Sequence, residues 1–217
     1  MIDIIEYDEG LPISVIVPLS KERRNFFDGW VFPLLEANQP MEIIINDNDG
    51  FAPKKRNDGF VKSTQPFVFF CDDDILLPSY HLKNLYDELQ KQLFRSDKKI
   101  GYTYSGYKGI VMYPNSHPMK GNFDIQTIPF NGNRLKQGNF ISTMSLISRE
   151  IFPGFDENLK RLQDYDLWLT LLNDGIEGKE VYNNEFFAYY LDEGITANSN
   201  SEKEALIAII NKHKIGM

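Results

Sequence analysis

The chain of 217 residues has a single cysteine, Cys71, and three histidines. One cysteine excludes an internal disulfide framework and any cysteine-based zinc cluster, and it suits a reducing compartment. His81, His117 and His213 are scattered without metal-ligand spacing, so neither a histidine metal centre nor a serine–histidine nucleophile system is expected. No apolar run approaches the ~18 residues of a membrane span; the longest are short, such as FVFFC at residues 67–71. The opening MIDIIEYDEG has acids where a secretory signal has a basic region. These absences together point to the cytoplasm and to no membrane span. Basic residues are also in deficit, Lys+Arg 23 against Asp+Glu 31, and a net charge of -8 argues against nucleic acid as a partner. What the chain has in quantity is aromatic: 16 Phe, 11 Tyr and 2 Trp. Hydrophobic residues at 42% and charged residues at 25% are globular values, and the length suits one domain with its own core.

No internal repeat, low-complexity tract or linker is visible. Residues 13–17 (ISVIV), 42–46 (EIIIN) and 67–71 (FVFFC) read as buried strands. Between the first two, Phe26, Phe27, Trp30, Val31, Leu34 and Leu35 form a helical stripe, but Gly29 and Pro33 predict a break within it. The stretch between the second and third strands reads as a loop. Leu82, Leu85, Tyr86, Leu89 and Leu93 mark one face of a helix running to about Phe94. Strand, helix, strand, loop, strand, helix implies parallel pairing with crossovers. Further on, residues 100–113 read as a twisted strand pair, and 123–130 and 139–148 as strands. Residues 161–173 read as a helix stopped by Gly175, followed by short strands at 179–182 and 186–191. A last helix opens at Ser201, with Glu204 at capping-box spacing. The expected class is α/β, a mostly parallel half joined to a more irregular one.

Polar residues gather where the early strands end: Pro18-Leu19-Ser20, then Asn46-Asp47-Asn48-Asp49, then Asp72-Asp73-Asp74. In an open parallel sheet these ends share one edge, the edge at which ligands bind. Continued strand geometry puts Asp72 and Asp74 on one face, with Asp73 pointing elsewhere. Two such carboxylates repel unless a cation lies between them, and hard oxygen donors suit Mg²⁺ or Mn²⁺, which take further ligands from substrate phosphates. The competing reading is an acidic turn or a helix cap; three acids directly after FVFFC exceed what a cap needs. Lys54-Lys55-Arg56-Asn57 supplies a basic knot ahead of Gly59, able to offset a diphosphate, although alone it reads as surface charge. Asp47 suits a base or ribose contact and equally an Asx-type turn. Asp164 and Asp166, at the start of the later helix, lie about 200° apart and cannot share a site. A first-turn carboxylate is favoured as the anion, as a base at neutral pH requires, yet acids are favoured there without any function. The physics leaves Asp164 open.

In the order ISVIVP, EIIINDND, KKRNDGF, FVFFCDDDILLP and FDENLKRLQDYDLWLTLLNDG, the sequence resembles the family 2 glycosyltransferases with the GT-A fold, across residues 13–191. The Arg-Asn-x-Gly element, the DxD motif and the Gln-Asp opening of a Trp-containing helix are specific in combination. The resemblance implies a single GT-A domain over 1–217. A Rossmann-like nucleotide-sugar-binding half (12–99), with a central mostly parallel mixed sheet flanked by helices, is fused to an acceptor-binding and catalytic-base half (100–217). It implies transfer of a sugar from a UDP-sugar to a hydroxyl of a glycan or glycoconjugate, with inversion and with Mn²⁺ or Mg²⁺ as cofactor. Carried over by position, Pro18, Ser20, Asp47, Arg56, Asp72 and Asp73 are nucleotide-binding, Asp74 and Asp72 are metal ligands, and Asp164 is the base. Where many members have a late histidine this chain has Asp192, a further candidate ligand. Where the family's second strand usually ends in Asp-Asp-Gly-Ser, here it ends in Asp47-Asn48-Asp49-Gly50. Tyr102, Tyr104 and Tyr107 are candidates for stacking on sugars or for the core, and Gly138-Asn139 is expected to open a strand facing that region. The rival readings are a nucleotidyltransferase, for which PLSKERR lacks the Gly-rich phosphate loop, and a nucleotide-sugar-binding module without turnover. The chain reads either as a compact enzyme or as one domain of a longer multidomain protein.

Overall fold

The computed structural model describes residues 1–94, 99–112, 121–190 and 199–216. The chain opens with β1 (Ile2–Glu6) and β2 (Leu11–Pro18). The predicted broken helix follows as a 3₁₀ turn (Lys21–Arg23), α1 (Arg24–Phe26), a π turn (Phe27–Val31) and α2 (Phe32–Ala37). The π turn contains Gly29 and runs straight into Pro33, which has no N–H to donate, so the widened turn falls where a regular ladder is interrupted. Next come β3 (Pro40–Asn46), α3 (Ala52–Lys62), β4 (Phe67–Phe70), β5 (Ile75–Leu76) and α4 (His81–Leu93). Then follow β6 (Ile100–Tyr104), β7 (Tyr107–Val111), β8 (Phe123–Ile125), α5 (Gly132–Leu135) and β9 (Leu146–Ser148). Last are α6 (Gln163–Asn173), β10 (Glu177–Glu180), β11 (Phe186–Tyr190) and α7 (Ser199–His213).

The main sheet has seven strands in the order β1-β3-β2-β4-β9-β6-β10. β3, β2, β4, β6 and β10 run one way, while β1 and β9 are reversed, giving the mostly parallel mixed sheet expected of the class. β2 is buried from Ile13 to Pro18 because both faces are covered. Val15 and Val17 pack on one side with Phe27, Leu35, Leu82 and Leu85. Ile16 packs on the other side with Val68, Phe70, Trp168 and Leu169. A second sheet, β5-β11-β7-β8, stands beside the first.

Several elements depart from the sequence reading. The stretch expected to be a loop before β4 is α3, and the basic knot lies on it. A Cβ at Gly59 would sit 2.5 Å from Ile16 Cγ2, so glycine lets α3 press against β2 with almost no apolar side chains of its own. That economy removed the periodic signal. The 100–113 segment is two strands, but they do not pair with each other: β6 joins β9 and β10 in the main sheet, and β7 joins β11 and β8 in the second. Of 123–130 only Phe123–Ile125 is strand, and of 139–148 only Leu146–Ser148, so Gly138-Asn139 opens no strand. β1 escaped notice because it pairs only at the sheet edge. α7 begins at Ser199, which places Ser201 inside it. Gly175, at φ 75°, ends α6 as expected. His117, Leu191 and Asp192 lie outside the described residues. Among the described residues, no helix is long and apolar enough to cross a membrane.

His81 opens α4 with its ring edge-on to Phe69 (5.9 Å between centroids) and Phe186 (5.6 Å). It is fully buried, and neither ring nitrogen has a hydrogen-bond partner among the described residues. Burial holds its pKa down at about 3. Between that value and the ordinary value of about 6.5, the unfolded chain carries a proton that the folded chain refuses. Stability is therefore complete above this window and falls as the pH drops through it. Urea unfolding of wild type and His81→Leu at several pH values should show wild type losing roughly 1.4 kcal/mol per unit relative to the variant below pH ~6. A difference independent of pH would show that the folded ring accepts the proton.

Candidate active site

A cavity of about 980 Å³ opens at the edge where β2 and β4 end. Pro18 ends β2, Ser20, Glu22 and Arg23 come from the segment after it, and Arg56 comes from α3. Asp72, Asp73 and Asp74 follow β4, Asn139 to Met144 precede β9, and Gln163 and Asp164 open α6. Ala188, Tyr189 and Tyr190 come from β11 of the second sheet. The first and third of the polar strand ends noted in the sequence therefore meet in one space.

β4 stops at Phe70, so strand alternation does not govern the aspartates; the chain turns and all three line the cavity. Asp73, expected to point elsewhere, is engaged: its Oδ2 accepts Ser20 N–H at 2.7 Å, and its Oδ1 lies 2.9 Å from Arg23 Nη1. The same Arg23 nitrogen pairs with Asp74 Oδ2 at 2.5 Å. Asp72 pairs closely with Arg56, whose Nη1 also donates to Gln163 Oε1 at 2.7 Å. The Arg56 guanidinium lies 5.3 Å from the centre of the Phe155 ring, so it is fixed on three sides. Through Arg56 the aspartate turn and the start of α6, far apart in sequence, become one network.

Burial pushes the Asp74 carboxyl up to about 7; the Arg23 charge opposes the shift, and Asp72 and Asp73 add to it. Burial also raises Asp73, against Arg23 and the Ser20 N–H. Burial alone would lower Arg23, but the charges of Asp74, Asp73 and Asp72 outweigh it and raise the group overall. Three carboxylates face two guanidinium groups, so the cluster is short of positive charge. The hard oxygens of Asp74 and Asp72 fit Mg²⁺ or Mn²⁺. Among the described residues, no three His, Cys, Asp or Glu side chains are grouped to hold a metal. A cation held by these two aspartates would need phosphate or water oxygens for the rest of its shell.

Asp164 reaches the cavity from the first turn of α6, where Asn139 Nδ2 donates to its Oδ2 at 2.8 Å and Tyr165 N–H to its Oδ1 at 2.9 Å. Burial raises its carboxyl, against these two donors and the Arg56 charge. The turn that aims it depends on Leu162, held at φ 57°, ψ 27°. That left-handed conformation costs on the order of 1 kcal/mol for a residue with a branched side chain, and Leu162 is retained there by packing against the α6 core. Asp166 faces away, as the helical angle required, and binds Lys212 Nζ and His213 Nε2, each at 2.8 Å, tying α6 to α7. Trp168, one turn on from Asp164, donates its indole N–H to Ile141 O at 2.9 Å and stacks on Tyr102 at 4.6 Å. It thereby anchors the irregular segment that carries Asn139.

Asp47 lies apart, in an adjoining recess of about 210 Å³ that shares Ser20 and Glu22 with the main cavity. The Met1 ammonium at 2.6 Å holds its carboxyl below the usual range. The Asx-type contact there belongs to Asn46, whose Oδ1 accepts Asn48 N–H at 3.1 Å. Tyr102 and Tyr104 are core; Tyr107 lines the cavity, with its hydroxyl 3.3 Å from that of Tyr190. Sequence reasoning missed Arg23, Lys160 and Gln163 as cavity residues. The signal for Arg23 was present in PLSKERR, a doubly basic turn directly after a buried strand. Asn139 was expected on a strand facing this region and instead lines the cavity from an irregular segment.

No family model matches the sequence, and a search of curated proteins finds no match. Solved structures do match. Residues 1–349 of S. aureus TarS superpose with a TM-score of 0.61 at 14% identity, covering 93% of this chain. The same protein in complex with UDP-GlcNAc gives 0.59 at 14% identity, over 93% of this chain and 67% of that one. The chain has the GT-A fold. Another GT-A neighbour is glucosyl-3-phosphoglycerate synthase from Mycobacterium tuberculosis, in complex with Mn²⁺, UDP and glucosyl-3-phosphoglycerate. It gives a TM-score of 0.51 at 10% identity, over 94% of this chain and 81% of that one. The chain spans 65% of the TarS 1–349 structure.

The bridging arginine gives this site a stability signature. Arg56 is 5% exposed, and its removal strands Gln163 and Asp72. Arg56→Ala should lower the unfolding free energy by about 2–4 kcal/mol in a urea titration. A midpoint equal to that of wild type would show that the bridge contributes nothing to the folded state.

Proposed function

We propose that the protein is a metal-dependent glycosyltransferase that moves a sugar from a UDP-sugar to a hydroxyl of a glycan or glycoconjugate, with inversion. One observation carries the reading. A single cavity at the strand-end edge of a GT-A sheet holds a charge-deficient aspartate turn, two arginines and a separate carboxylate with raised proton affinity. GT-A neighbours solved with UDP, UDP-GlcNAc or UDP with Mn²⁺ support the donor and cofactor classes.

In this reading residues 12–99 hold the nucleotide and 100–217 supply the acceptor wall and the base. Pro18 and Ser20 shape the nucleotide side, Asp73 fixes the segment after β2 through the Ser20 N–H, and Arg56 faces the diphosphate. Asp47 takes the base or ribose from the adjoining recess. Asp74, with Asp72, would hold Mn²⁺ or Mg²⁺, which when bound would offset the charge of the departing diphosphate. Asp164, its carboxylate oriented by Asn139, takes the proton of the acceptor hydroxyl as that oxygen bonds to the anomeric carbon. The bond from that carbon to the phosphate oxygen breaks, and UDP leaves with the electron pair. A carboxyl raised by burial holds that proton better than a solvated one does. Tyr107, Ser142 and Thr143 give the acceptor wall an aromatic face and hydroxyls suited to sugar.

Purified protein incubated with a panel of UDP-sugars and Mn²⁺ should release UDP. Asp164→Asn should keep UDP affinity within about twofold while release falls roughly 10²–10⁴-fold. Wild-type turnover in Asp164→Asn would remove the base assignment. Pyrophosphate formation from UTP and a sugar phosphate would replace sugar transfer by nucleotidyl transfer.

A further inference from the structure

Two arginines serve the aspartate turn, and they are held differently. Arg56 is an immobile member: it is 5% exposed, bonded to Gln163 and set against the Phe155 ring whether or not Asp72 is charged. Arg23 has no such anchorage. It ends the 3₁₀ turn that leads into α1, and its side chain is 32% exposed. Among the described residues its guanidinium pairs with the carboxylates themselves, Asp73 at 2.9 Å and Asp74 at 2.5 Å. Asp73 keeps a second bond, from Ser20 N–H, and stays in place without Arg23.

A guanidinium so placed sits on Asp74 Oδ2, an oxygen that a divalent cation on Asp74 would need. Building on the nucleotide-sugar reading above, we infer that Arg23 is a further diphosphate-binding residue. In the ligand-free protein it acts as a stand-in cation on Asp73 and Asp74. A divalent cation arriving alone must expel the guanidinium from Asp74 and leave it with Asp73 as its one remaining partner of the pair. A cation arriving with a nucleoside diphosphate brings the new partner along, because the phosphate oxygens accept the guanidinium as the carboxylate passes to the metal. Metal and nucleotide then each raise the affinity of the other, and the metal is not retained after the diphosphate departs. Arg56, fixed by Gln163, cannot make this exchange without breaking the link to α6.

The test uses Mn²⁺ alone and UDP alone, so that no activity is read. Free Mn²⁺ is followed by its electron paramagnetic resonance signal, and metal-free UDP binding by calorimetry, in wild type, Arg23→Gln and Arg23→Lys. Arg23→Gln should bind Mn²⁺ roughly tenfold or more tightly than wild type without nucleotide, and metal-free UDP roughly tenfold more weakly. Arg23→Lys, which keeps the charge and guards against loss of fold in the glutamine variant, should stay within about threefold of wild type for Mn²⁺. Mn²⁺ affinity in Arg23→Gln equal to or below that of wild type, in a variant with wild-type circular dichroism, would overturn the exchange. Failure of wild type to bind UDP with Mn²⁺ present would instead remove the nucleotide reading on which it rests.

Discussion

Three consecutive carboxylates at the mouth of a buried strand are the constraint around which this molecule is arranged. Phe67 to Phe70 are buried on both faces, so the chain leaves the core at Asp72 with no freedom to spread its charges. Like charges in a partly desolvated turn are tolerable only with nearby cations. Arg23, in the turn after β2, and Arg56, on α3, provide them. Three carboxylates against two guanidinium groups leave the turn one positive charge short, and the proposed reading would seat a divalent cation there. Stability alone would be served better by neutral residues in that turn, and the tension between fold and ligand is concentrated there.

The rest of the fold can be understood as holding that turn against Asp164. β2, β3 and β4 run parallel and bring their ends to one edge. α3 lies close enough to β2, through Gly59, for Arg56 to reach Asp72. Gln163 then carries the network to α6, whose opposite face is fastened to α7 by Asp166, Lys212 and His213. The left-handed Leu162 sets the direction in which Asp164 emerges, and Trp168 ties the Asn139 segment to the same helix. Asp164 is thus positioned by packing and hydrogen bonds, with Asn139 as its direct partner.

Those parts of the fold whose residues repeat with a period could be read in advance. The strand runs ISVIV, EIIIN and FVFFC, the α4 stripe and the stop at Gly175 all lie where their patterns put them, within a residue or two. α3 could not be read because it packs through a glycine and through buried Lys55 and Arg56 rather than an apolar stripe. The separation of β6 from β7 depends on two partners distant in sequence, β9 and β11, which no local pattern reveals. At the candidate site, acids stacked at strand ends were conspicuous, whereas the first-turn position of Asp164 left it open and only the family resemblance singled it out. Arg23, Gln163 and Asn139 acquire meaning only from what lies across the cavity, because a single polar residue in a turn or a cap has many ordinary reasons to be there. Tyr102 and Tyr104 show the reverse case: aromatic residues suited to a sugar that the sheet buries instead.

The aspartate turn is tested most directly by a crystal structure of the protein with a UDP-sugar and Mn²⁺. The expected density has the metal on Asp74 beside the diphosphate, Arg23 turned from Asp74 to a phosphate oxygen, and the sugar between the metal and Asp164. A nucleotide bound elsewhere on the surface, or bound in the cavity with both arginines still on the aspartates and no metal, would contradict the assignment.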